Sequence, residues 1–173
     1  DLFNFSDNAV QLKMEQDVGE RTKVRLSYRN EQKWFRNDVP EIQARNFFYH
    51  MVGMDVFHNI SSAFGVQLGY IYQYSTYNRR PIDFKGNVPI VLDGTQQDRQ
   101  YILTLGFWAF LLNDTTTLTL QNQVLRSSSN SRAFNFDGNR TKIMLMSNPL
   151  KKLWIDFTYR IVAYDLEAYQ TPD

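Results

Sequence analysis

Residues 62–75 read Ser-Ala-Phe-Gly-Val-Gln-Leu-Gly-Tyr-Ile-Tyr-Gln-Tyr-Ser. Every even position from Phe64 to Tyr74 carries a large apolar or aromatic side chain: Phe64, Val66, Leu68, Tyr70, Tyr72 and Tyr74. The odd positions between them are small or polar, with Ile71 the exception. A period of two is the signature of a strand, because successive side chains point to opposite faces. The alternation outlasts the usual globular strand of about five or six residues. It reaches the ~9–11 residues of a strand that crosses a bilayer with one face to lipid and the other to a lumen. The tyrosines gather at the C-terminal end, where an interfacial ring sits in hydrocarbon and its hydroxyl among headgroups.

Seven further segments carry the same period. They are Ala9–Glu15, Thr22–Asn30, Arg45–Phe57, Arg99–Phe110, Thr115–Arg126, Thr141–Ser147 and Leu153–Tyr164. Val10, Leu12 and Met14 share a face, as do Val24, Leu26 and Tyr28; Leu103 and Leu105 share one with Tyr101 and Phe107; Phe157 and Tyr159 share one with Leu153, Ile155 and Ile161. No segment shows a capped 3.6-residue stripe, so almost no helix is expected. The connections alternate in length. Short ones are Asp17–Arg21, the turn at His58–Ile60, Leu111–Asp114 and the neighbourhood of Asn148-Pro149; long ones are Glu31–Ala44, Thr76–Asp98 and Ser127–Arg140. Loops of that length are uncommon in compact soluble domains.

Register follows from keeping charge off the apolar face, since a one-residue slip inverts every side chain. A three-residue turn at His58–Ile60 places Phe57 opposite Ser61 and keeps Val52, Met54 and Val56 with Phe64, Val66 and Leu68. In the next hairpin a loop at Leu111–Asp114 pairs Leu105 with Leu120 and Phe107 with Leu118. In the first, Glu15 is expected opposite Lys23, and Lys13 opposite Arg25.

Composition narrows the function. The 173 residues fit one domain, taken as 1–173, and the 19 basic and 18 acidic residues favour neither nucleic acid nor a strongly acidic partner. There is no cysteine, so a disulfide framework or thiolate metal site is excluded, and two histidines leave little for an imidazole-built centre. No run approaches the ~18 apolar residues of a membrane helix, which says nothing against membrane strands.

With its long alternating strands and its short turns at one end and long loops at the other, the chain resembles the outer-membrane β-barrel proteins of Gram-negative bacteria, of the porin and export-channel type. The resemblance is architectural and spans nearly the whole chain. It implies an all-β, antiparallel, up-and-down transmembrane barrel. About eight strands are present, and both chain ends fall on the long-loop side. Members commonly close on a terminal aromatic strand, whereas Glu167–Asp173 reads as a loop. The expectation is therefore a section of a larger barrel, with a complete but atypical small barrel as the alternative. The implied location is the bacterial outer membrane, and the implied function is part of a pore or export channel for polar solutes or polymers.

The expected lumen residues are Lys13, Glu15, Lys23, Arg25, Arg29, Asp55, Gln67, Gln121, Asp156 and Arg160, a mildly basic set suited to polar or anionic solutes. The expected lipid-facing residues are Phe64, Val66, Leu68, Tyr70, Tyr72, Leu103, Leu105, Phe157 and Tyr159. Membrane lipid is the expected partner, and loops 76–98 and 127–140 are the surface for a protein partner. Two alternatives stand: a structural barrel that presents its loops, and a soluble lipocalin-like barrel with the same alternation inverted around a small apolar ligand. His58 with Ser61 and Ser62 has the letters of a hydrolase, but a short-turn histidine reads as solvated, so no catalytic residue or enzyme activity is expected. Asp83, Asp93 and Asp98 match no calcium-loop spacing, and neither cofactor nor metal is expected.

Overall fold

The computed structural model describes residues 5–35, 46–85, 88–111, 115–150 and 153–166. The chain is all-β. Its strands are β1 (Phe5–Asp17), β2 (Thr22–Phe35), β3 (Phe47–Asn59), β4 (Phe64–Tyr77), β5 (Ile82–Lys85), β6 (Val88–Val91), β7 (Gln96–Leu111), β8 (Thr116–Ser129), β9 (Phe136–Leu150) and β10 (Leu153–Leu166). Eight of them make one antiparallel sheet in the order β1-β2-β3-β4-β7-β8-β9-β10. β5 and β6 form a separate hairpin, and the one helical element among the described residues is a 3-10 turn at Arg132–Phe134. The meander and the near-absence of helix agree with the period-two reading. Among the described residues the sheet is open, since β1 pairs only with β2 and β10 only with β9.

The strands run longer than their apolar alternation. β2 continues through Glu31–Phe35, β7 begins at Gln96, β8 reaches Ser129, and β9 starts at Phe136 rather than Thr141. Ladder hydrogen bonds come from the backbone, so polar ends extend a strand once its middle is anchored. The long connections shrink accordingly to 78–95 and 130–135. The tip of the loop before β3, most of the expected Leu111–Asp114 loop and the tail Glu167–Asp173 lie outside the described residues.

Three expected registers are displaced, each by a multiple of the side-chain repeat. The first turn is Val18–Arg21, closed by Val18 N–H to the Thr22 carbonyl at 2.7 Å, with Gly19 at φ +79°. Glu15 therefore opposes Arg25, Asp17 opposes Lys23 and Lys13 opposes Ser27. The second turn is Ile60–Ala63, so Phe57 opposes Gln67 instead of Ser61. In the third, Leu111 remains in the ladder opposite Thr116, and Phe107 meets Leu120 while Leu105 meets Asn122. Even displacements preserve parity, so residues expected to share a side of the sheet still share one.

Exposure distinguishes the two faces in an unusual sense. Leu103 and Leu105 are 51% and 48% exposed, whereas Thr104 between them is 2% exposed. Ser75, Gln96 and Leu125, on the face of Thr104, are likewise buried. The apolar face carries a band of Val24, Leu26, Met54, Val56, Leu68, Leu103 and Leu105. Aromatic rings flank it: Phe64 stacks near Phe107 toward the short turns, and Tyr72 meets Tyr101 toward the long loops. In β7 the sheet thus shields the polar-face side chain and presents the apolar ones, whereas on the edge strands β1 and β10 both faces are exposed.

Candidate functional site

The polar face gathers the residues the sequence assigns to a lumen. Lys13, Glu15, Lys23, Arg25, Arg29, Asp55, Gln67, Gln121, Asp156 and Arg160 all fall on it when the register is followed from β1 to β10. Phe64, Val66, Leu68, Tyr70, Tyr72, Leu103, Leu105, Phe157 and Tyr159 all fall on the other face.

Glycines on the polar face let neighbouring side chains lie along the wall. A Cβ at Gly69 would collide with the Asp55 carboxylate, and one at Gly65 with the Trp108 indole. Without that Cβ, each side chain folds down across the adjacent strand instead of standing away from the sheet. Asp55 then accepts from Gln67 Nε2 at 2.8 Å, and Gln67 Oε1 accepts from Gln121 Nε2 at 3.4 Å, making a polar ladder from β3 to β8. A second runs beside it: Gln123 Nε2 donates to Thr104 Oγ1 at 3.2 Å, and Arg140 donates to Gln123 Oε1 at 3.4 Å.

Charges at the β1–β3 end are mutually neutralised. Glu15 accepts from Arg25 Nε at 2.7 Å and lies 3.4 Å from Lys13 Nζ and 4.0 Å from Lys23 Nζ. Arg29 pairs with Glu31, a residue absent from the expected lumen set because its stretch reads as loop. The Arg25 guanidinium sits 4.7 Å from the Phe57 ring centre, and Phe57 is 6.1 Å from Trp108. Lys13 opposes Ser27 rather than the expected Arg25, and both cations address Glu15. At the other end Arg140, Lys142 and Arg160 share the face without a salt bridge among the described residues. Neither Arg140 nor Lys142 stands in the sequence-derived set. Asn139-Arg140-Thr141 reads as a loop end there, and Lys142 is given no side.

The catalytic letters are not assembled. His58 Nδ1 meets Thr22 Oγ1 at 2.9 Å, and Ser61 Oγ accepts from Ala63 N–H at 3.2 Å. Asp98 is engaged by Gln96 and Ser129. Among the described residues no three His, Cys, Asp or Glu side chains gather for a metal ion.

The described parts of loops 78–95 and 130–135 are held together by hydrogen bonds. Ser131 Oγ accepts from Ile82 N–H at 2.8 Å and donates to the Ile82 carbonyl at 3.0 Å. Arg79 donates to Gln96 Oε1 at 2.6 Å and stacks on Tyr77 and Phe134. Within this cap Val88, Ile90 and Val91 remain exposed.

No protein-family model matches the chain, and no curated protein matches it.

Proposed function

We propose that this sheet is a wall section of a β-barrel in a bacterial outer membrane, and that the barrel forms part of a pore or export channel for polar solutes or polymers. The observation that carries the reading is the inverted exposure along one strand, Leu103 and Leu105 open and Thr104 shielded. In water, a contiguous apolar face of this extent would be an association surface. In hydrocarbon it is the stable arrangement, and the aromatic rings above and below it fit the two interfaces. A soluble ligand-carrying barrel needs the opposite shielding.

An open sheet edge does not occur in lipid, where every backbone group must be paired. The free edges of β1 and β10 are therefore paired in the assembled barrel, with further strands if this is a section of a larger barrel or with each other if it is a small one. An eight-stranded barrel has an interior only wide enough for side chains, whereas a larger one with side chains laid flat on glycines keeps a hydrated path. The packed cap of loops 78–95 and 130–135, with Val88 and Val91 exposed, supports the structural role of presenting a surface to a protein partner as a second reading.

The test is extraction followed by planar-bilayer recording of the full-length protein. Detergent-dependent solubility with discrete conductance steps is expected. A monodisperse protein in plain buffer would remove the membrane from the account, and a detergent-soluble protein that never conducts would favour the presenting role.

A further inference from the structure

We infer that Arg140, Lys142 and Arg160 form a binding subsite for an oxyanion, a phosphate, sulfate or carboxylate group carried by a solute on the polar face. The inference deepens the pathway reading and rests on it for the source of the anion.

Arg160 and Lys142 are direct cross-strand partners between β10 and β9. Directly opposed residues have Cβ atoms about 4.5–5.5 Å apart, and like charges at that spacing repel unless something lies between them. Arg140 is the next residue of β9 on the same face. Its neighbours are uncharged: Gln123 Oε1 at 3.4 Å from Nη1 and the Tyr164 hydroxyl at 3.5 Å from Nη2. Its Nε is buried with no hydrogen-bond partner among the described residues. A buried N–H of a permanent cation is costly to leave unpaired. The contrast within the same face is informative. Lys13, Lys23, Arg25 and Arg29 each have a carboxylate within 4.0 Å, and these three cations have none among the described residues. The nearest acid on their own strands and face, Asp156, lies beyond Thr158, from which it accepts at 3.4 Å. Gln121 and Gln123 on β8, opposite Lys142 and Arg140, add amide donors. A planar guanidinium fork with a second guanidinium and an ammonium is suited to an oxyanion's several acceptor oxygens.

The experiment uses the full-length protein in a neutral, phosphate-free detergent. Thermal unfolding is followed while inorganic phosphate replaces chloride at constant ionic strength. Ligand linkage should raise Tm in a saturable way. The response should vanish in Lys142→Gln/Arg160→Gln and persist in Arg25→Gln. Each single variant should weaken apparent phosphate affinity by about tenfold, the change expected from roughly 1.4 kcal/mol; the single variants keep the test decisive if the double variant does not fold. An unchanged Tm in wild-type protein, or a phosphate affinity in both single variants equal to that of the wild type, would overturn the subsite. Parallel bilayer recording separates the two ideas. Phosphate stabilisation without conductance keeps the subsite and removes the pathway, and conductance without phosphate stabilisation does the reverse.

Discussion

The Trp108 indole occupies the space that a side chain at Gly65 would fill, its cross-strand partner between β4 and β7. The two residues behave as one packed unit on the polar face. Introducing Gly65→Val should displace the indole and destabilise the protein by about 1–3 kcal/mol, the usual range for overpacking. Trp108→Ala should restore much of the loss when combined with it, a coupling that a double-mutant cycle of unfolding free energies reads directly. Simple additivity would show that the two do not share that space.

Gln67 and Leu68 are sequence neighbours on opposite faces. Leu68→Arg should cost about 2–4 kcal/mol if it lies near the membrane midplane. Gln67→Arg should be tolerated, since its surroundings are Asp55 and Gln121. Folding yield into lipid vesicles and unfolding midpoints give the comparison. Equal penalties would mean that the faces do not differ in solvent.

Charge selectivity should respond differently at the two ends of the wall. Arg25 is already neutralised by Glu15, so Arg25→Glu should shift reversal potential less than Lys142→Glu does. Glu15→Gln should increase anion preference by releasing Arg25, Lys13 and Lys23 from a shared partner. Reversal potentials across a salt gradient measure all three.

Ser131 is fully buried and holds both backbone groups of Ile82. Ser131→Ala should leave those groups unsatisfied and loosen the cap by about 1–3 kcal/mol. Faster amide exchange should appear at Ile82–Val91, with the rates at Leu103–Phe107 unchanged. Uniform acceleration throughout the sheet would mean that the cap and the sheet unfold together.

The faces were legible in the sequence because parity is a local property. Phe64–Tyr74 and Leu103–Phe107 each declare their own sides, and no turn needs to be known. Register was less legible, because it depends on turn geometry: Gly19 at positive φ sets the turn that brings Glu15 to Arg25 rather than Lys23. Polar strand ends were missed for a different reason. Asp137-Gly138-Asn139 has turn-forming residues, yet their backbones pair with Arg126, Leu125 and Val124 in an established ladder. The β5–β6 hairpin, short and containing Pro89, lacks any alternation that would announce it. The cationic cluster escapes the sequence for the same reason, since Arg140 reads there as a loop end although its backbone pairs with Gln123 inside β9.

Thiol labelling at Phe157 and Thr158 tests most directly whether the apolar face meets lipid. The two neighbours lie on opposite faces of β10, and both side chains are exposed in the isolated sheet, so their surroundings alone decide which reagent reaches them. The chain has no cysteine, so each single variant carries one reactive thiol. With the full-length protein in membranes, Phe157→Cys should react with a lipid-phase probe and resist a water-soluble maleimide, and Thr158→Cys should react with the maleimide. Rapid maleimide labelling of Phe157→Cys would contradict a lipid-facing apolar wall.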